Sequence, residues 1–163
     1  MAKKKMISEV LELAAKCNSQ EERSEFLKAN YSVPLITILR GGFDESVTWL
    51  LPKGSPPYKK DDAPKGYELS NLYKQQRKFG YFVKGGKGER LQAVKREAMF
   101  ITVLESLHPD EAELVIAMKD KKLTGRYKGI TQKLIETTFP GLIQKVSVPK
   151  VEKKVADEVE TEL

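Results

Sequence analysis

The stretch Glu89-Arg-Leu-Gln-Ala-Val-Lys-Arg-Glu-Ala-Met-Phe-Ile-Thr-Val-Leu-Glu-Ser-Leu107 decides the fold class. Its Leu91, Val94, Ala98, Met99, Ile101, Val103 and Leu104 recur at helical spacing, which gathers them on one broad apolar face. That spacing predicts the longest helix of the chain, running through the core. Just downstream, Pro109 suits a first helical turn, and Asp110, Glu111 and Glu113 complement the positive end of a helix dipole. A helix ending near Lys119 to Leu123 is therefore expected. A last helix, from about Ile130 to Thr138, is stopped by Pro140-Gly141.

Working upstream, Ile7, Val10, Leu11, Leu13, Ala14 and Ala15 also recur at helical spacing, up to Cys17-Asn18. Ser19 followed by Glu22 is a capping-box signature, and the helix it starts runs to about Asn30. Pro34 opens a short helix through Leu35, Ile36, Ile38 and Leu39, which Gly41-Gly42 is expected to break. Asp44 can cap a fourth helix bearing Val47, Trp49, Leu50 and Leu51 and stopping before Pro52. Residues 52–67 hold Pro52, Pro56, Pro57 and Pro64 with Gly54 and Gly66, so they form a connector. Ser70 or Asn71 then caps a helix with Leu72, Tyr73 and Phe79 that ends at Gly80. Short extended pairing fits Tyr81 to Val83. With no internal repeat and no sustained alternation, the fold class is all-α: a multi-helix domain over residues 6–143, a flexible basic start at 1–5 and a disordered charged tail at 144–163.

The 163 residues carry 29 basic and 23 acidic side chains, a net charge of +6. That excess favours acidic partners, nucleic acid first. The tail opposes it: Glu152 to Leu163 contains Lys153 and Lys154 against Glu152, Asp157, Glu158, Glu160 and Glu162. Such a segment can compete with nucleic acid for a basic face. Cys17 is alone, so no internal disulfide forms, and no apolar run reaches the roughly 18 residues of a membrane span. Met-Ala-Lys-Lys-Lys is not followed by an apolar signal core. The expectation is a soluble protein of a reducing cytoplasm, with no membrane contact.

Little here suggests chemistry. His108, the single histidine, stands beside Pro109 at a helix start, where an imidazole caps or faces solvent. One His and one Cys give no zinc ligand spacing. Gly85-Gly86-Lys87-Gly88 lacks the Lys-Ser/Thr ending of a phosphate-binding loop and follows no strand. The expectation is a non-enzyme without cofactor or metal.

Two stretches concentrate positive charge. Between residues 74 and 96, Lys74, Arg77, Lys78, Lys84, Lys87, Arg90, Lys95 and Arg96 face one acid, Glu89, with Tyr73, Phe79, Tyr81 and Phe82 interleaved. The aromatics either stack on bases and sugars or belong to the core. In the second stretch Lys119, Lys121, Lys122, Arg126, Lys128 and Lys133 face Asp120 alone, and Gly125 and Gly129 precede a helix start with Thr131. Glycines admit a phosphate close to the backbone, and free helix-start amides donate to it. A solvated helix end reads the same lysines without a ligand.

Gly129-Ile-Thr-Gln-Lys-Leu-Ile-Glu-Thr-Thr-Phe-Pro-Gly-Leu-Ile143 resembles the N-terminal DNA-binding domain of ATP-dependent DNA ligases from tailed phages. Those domains run from a Gly-Ala/Val-Ser-type helix start, at the same spacing, into a Trp/Phe-Pro-Gly-Leu-Ile ending, after a basic-Asp helix end like Lys119-Asp120. The succession of helices over Met6 to Gly54 is similar in outline, while the middle segments match poorly. The spacing between Lys119-Asp120 and Gly129 is longer here. The Lys-x-Asp-Gly tetrapeptide that carries the nucleotide in ligases is missing, as is room for their further domains.

The resemblance implies an all-helical, standalone domain that holds the duplex backbone across the minor groove, in the cytoplasm of a phage-infected bacterium, coating or organising DNA. The expected partner is double-stranded DNA, bound without sequence preference through Lys119, Lys121, Lys122, Arg126, Lys128, Gly129, Thr131 and Lys133, with Arg77, Lys78, Lys87, Arg90 and Arg96 as a second patch. The rival readings are a factor that modulates a replication or transcription enzyme through protein contacts, and an RNA-binding protein.

Overall fold

The computed structural model describes residues 5–62, 64 and 67–143. Among them the chain forms α1 (Ile7–Ala15), α2 (Gln20–Ala29), α3 (Val33–Phe43), α4 (Leu72–Gln75) continued by a 3-10 helix (Gln76–Tyr81), α5 (Ala93–Ser106), α6 (Pro109–Lys119), α7 (Leu123–Arg126) and α8 (Gln132–Thr138). The only extended pairing among the described residues is a single bridge between Trp49 and Val83. The all-α class holds. The expectations for residues 1–4 and for the tail at 144–163 lie outside the described residues.

Short polar side chains start most of these helices by accepting a bond from an otherwise orphaned amide. Ser19 takes the Glu22 amide and Ser32 the Leu35 amide. Asn71 takes that of Lys74 and Thr131 that of Leu134. His108 joins them, its Nδ1 accepting from the Asp110 amide at 3.1 Å. In the capping box, the Glu22 carboxylate reaches the Asn18 amide at 3.0 Å, one residue before the cap.

Three expectations are corrected. First, α3 runs straight through Gly41-Gly42, because those glycines make room for neighbours. A Cβ on Gly41 would lie 2.8 Å from both Met118 Sδ and the Trp49 ring, and one on Gly42 would lie 2.2 Å from Leu123 Cδ1. Second, no helix follows Asp44. The carboxylate of Asp44 instead binds the amide and hydroxyl of Ser46 at 2.9 and 2.6 Å, and the ribbon beyond it pairs with Val83.

Third, the buried stripe of α5 is Arg96, Phe100, Val103 and Leu104, followed by Leu107, whereas Val94 is 76% exposed. The helix at the centre is α6, which touches α1, α3, α5 and α7. It buries Ala112, Leu114, Val115, Ile116 and Met118, so its apolar residues are spread around the axis and leave no one-sided pattern. At the periphery α2 and α8 lie together, joined by a 2.9 Å bond from the Thr138 hydroxyl to that of Ser24.

Candidate nucleic-acid interface

The stretch Lys119 to Lys133 is largely spent on the fold. Lys119 is 5% exposed. Its ammonium donates to the carbonyls of Pro52 (2.8 Å) and Gly54 (3.1 Å) and pairs with Asp120, which also accepts from the Gly54 amide at 3.0 Å. These bonds tie the proline-rich connector to the end of α6, and they use all three ammonium donors. Lys119 is therefore no phosphate contact, contrary to expectation. Lys121 adopts a left-handed backbone (φ 59°) and turns its ammonium onto the carbonyls of Gly41 (2.7 Å) and Asp44 (3.0 Å). It caps the end of α3, where a cation is favoured. Burial lowers its pKa below the ordinary lysine value, against the pull of Asp44 and Glu45.

Gly129 and Thr131 also have internal roles. Gly129 has φ 89°, and the Arg23 guanidinium carbon lies 2.6 Å from where its Cβ would be. The glycine is needed for this close approach of Arg23, and its carbonyl accepts from the Gln20 side chain at 3.2 Å. The Thr131 hydroxyl is the cap of α8. Arg126 is exposed and 5.8 Å from the Tyr127 ring centre. Burial opposes its charge, but the Tyr127 hydroxyl with Glu113 and Asp110 outweighs that and raises its pKa. Lys122, Lys128 and Lys133 are exposed, as are Arg126 and, despite its bonds to the end of α3, Lys121.

In the 74–96 stretch, Arg96 is the exception: it is buried. Its Nε and Nη2 donate to the Gly88 carbonyl (3.3 and 3.1 Å), Nη2 also to Glu89 (3.2 Å) and Leu91 (3.0 Å), and Nη1 to Leu50 (3.4 Å). It is not a surface contact, which corrects the expectation for it. The loop that it holds is tight. A Cβ on Gly86 would stand 2.1 Å from the Gly80 carbonyl oxygen, and one on Gly88 would stand 2.0 Å from that of Tyr81. Backbone bonds from Lys84 to Thr48 (2.9 Å) and from Leu50 to Phe82 (2.7 Å) lay the ribbon beside it.

Around this loop Lys74, Arg77, Lys78, Lys84, Lys87, Arg90 and Lys95 are all exposed. The one acid between residues 74 and 96, Glu89, accepts from the Gly85 amide at 3.0 Å. Phe79 and Phe82 are core residues, edge-on to Trp49 and Phe100 at 5.9 and 5.3 Å between ring centres. Tyr73 and Tyr81 are half-buried. Of the expected second patch, Arg77, Lys78, Lys87 and Arg90 are thus exposed, as are Lys74, Lys84 and Lys95 of the same stretch. The ribbon from Thr48 to Leu50 was not foreseen as its support. No local residue pattern signals it, because Gly41, on which Trp49 packs, reads in sequence as a helix break.

Among the described residues, no three His, Cys, Asp or Glu side chains are grouped so as to hold a metal ion. No helix of the described residues is long and apolar enough to cross a membrane. No curated protein matches the chain. Residues 10–125, more than half of the sequence and the whole of the 74–96 stretch among them, match DUF6433, a family of unknown function, and the chain belongs to that family.

Proposed function

We propose that the protein binds duplex DNA through its phosphates, without reading sequence, and that the centre of the surface is the loop region from Lys74 to Lys95. One observation carries this reading: seven exposed cations share that segment with a single acid. Clustered cations release counterions when they neutralise phosphates, which is a binding force that needs no base contact. Lys122, Arg126, Lys128 and Lys133 offer further exposed cations at the second stretch.

Two of the four interleaved aromatics, Phe79 and Phe82, are consumed by the core, which supports phosphate contact over base stacking. That favours a duplex over RNA or DNA single strands, whose recognition relies on stacking. The resemblance of Gly129–Ile143 to phage DNA ligase DNA-binding domains supports DNA as the nucleic acid and a phage-infected bacterium as the setting. Anisotropy titration of a labelled random-sequence duplex tests the reading. With about six phosphates neutralised, log K should fall against log salt with a slope of about −5, roughly a thousandfold from 50 to 200 mM. A flat response sinks it.

A further inference from the structure

We propose that Arg96 is a positioning residue of this surface, and that through it the surface discriminates a rigid duplex from a single strand. The proposal rests on the duplex-binding reading above. Arg96 is 8% exposed and so does not meet the ligand. It occupies the first turn of α5, in line with Phe100, Val103 and Leu104, where an apolar residue would serve packing better. A guanidinium is tolerated there only because its donors are engaged. They are directed at four carbonyls from two separate segments: Gly88, Glu89 and Leu91 on the loop, and Leu50 on the ribbon.

The loop is thereby held from both sides. Arg96 grips it from α5, while Gly86 and Gly88 seat it against the carbonyls of Gly80 and Tyr81. Lys84, Lys87 and Arg90 are carried on this fixed backbone. A fixed array of cations suits phosphates that are themselves at fixed spacing, and little ordering is lost when the two meet. A flexible strand has to be ordered onto the array and gives up that advantage. Lysine cannot replace the guanidinium, since its donors radiate from one point and do not form a planar fork.

The test compares the full chain with Arg96→Lys, which keeps the charge, on a short duplex and on its single strand, with the thermal midpoint measured alongside. The expected result is a duplex affinity lowered about tenfold or more and a salt slope reduced in magnitude by about 3, as Lys84, Lys87 and Arg90 lose their phosphates. Single-strand affinity should change less than about twofold, so the duplex preference collapses. A lowered midpoint with the duplex slope and preference unchanged makes Arg96 a stability residue only and overturns the proposal. If Arg96→Lys does not fold, Gly88→Ala displaces the loop with Arg96 intact; retained duplex preference in that variant overturns the proposal equally. A flat wild-type salt response refutes the duplex reading itself, whereas a steep one with an unaltered variant refutes only the role of Arg96.

Discussion

The carboxylate of Glu111 accepts a hydrogen bond from the backbone amide of Ser8 at 2.9 Å, joining residues 103 positions apart. Its other oxygen takes the amide of Ile7 at 3.0 Å. Helix α1 has no side-chain cap of its own, so a residue of the central helix caps it. Glu111→Ala leaves two buried amides without acceptors, at about 1–3 kcal/mol each. Urea unfolding should show a loss of about 2–5 kcal/mol, with Glu111→Gln losing less because one acceptor remains. Equal stability of Glu111→Ala and wild type would show that water or another group caps α1.

The same carboxyl makes stability depend on pH. Burial raises its pKa above the ordinary 4.5, outweighing the bonds from Ser8 and Ile7 and the nearby His108. Between the ordinary and the raised value the folded chain holds a proton that the unfolded chain has released. The contribution of Glu111 is then fully present below about pH 4.5 and is lost as pH rises through its folded value. The stability difference between wild type and Glu111→Gln, followed by urea unfolding from pH 4 upward, should shrink in that direction. A difference that grows with pH contradicts the assignment.

Helix starts were legible because they depend on local chemistry: Ser19, Pro109 and the pair Ser70-Asn71 mark them by residue type alone, whereas Thr131, expected as a phosphate contact, is the cap of α8. What was not legible depends on partners distant in sequence. Gly41-Gly42 reads locally as a break, and only Met118, Trp49 and Leu123 turn it into a contact surface. The buried face of α5 was misplaced because it includes a charged residue, Arg96, whose acceptors are backbone carbonyls invisible to any residue pattern. Val94 took its place in the pattern and lies in solvent. The candidate site suffered likewise: charge counting found both basic stretches but could not separate Lys119 and Lys121, whose ammonium groups are bonded to backbone carbonyls of the fold, from Lys84, Lys87 and Arg90.

That separation is testable at Lys119. Its side chain is 2% exposed and its partner Asp120 6%, so Lys119→Met leaves a buried carboxylate and two carbonyls without their donor. Removing one partner of such a pair typically costs about 3–5 kcal/mol. The variant should lose stability on that scale while its DNA affinity, measured where it is still folded, stays within about twofold of wild type. A large loss of affinity with stability intact would restore Lys119 to the surface.

Two glycines should respond in opposite directions. Gly42→Ala drives a methyl to 2.2 Å from Leu123 Cδ1, and overpacking of this kind costs about 1–3 kcal/mol. Shortening Leu123 to Ala in the same chain should recover part of the loss. Gly125, inside α7, has nothing within 4 Å of a built Cβ and an ordinary φ. There Gly125→Ala should stabilise by about 0.5–1 kcal/mol, through the backbone freedom it removes. Thermal midpoints of the three variants check both signs, and a neutral Gly42→Ala would mean that α3 and α7 separate more easily than their contact implies.

The placement of the interface is decided by comparing charge reversals at the two basic stretches. Lys84→Glu, Lys87→Glu and Arg90→Glu together place three negative charges on the loop that Arg96 holds, and all three positions are exposed, so the helical circular dichroism should not change. Lys122→Glu, Lys128→Glu and Lys133→Glu do the same at the second stretch, again at exposed positions. If the loop is the centre, the first triple variant lowers the magnitude of the salt slope by about 3 and abolishes measurable binding at physiological salt. The second should leave a weaker but salt-sensitive complex, because the seven cations between Lys74 and Lys95 are untouched. The reverse ranking moves the centre to the α7–α8 region, with Lys122, Lys128 and Lys133 as its contacts. Equal and full loss in both would mean that the two stretches grip one duplex together, each supplying phosphate contacts that the other cannot replace.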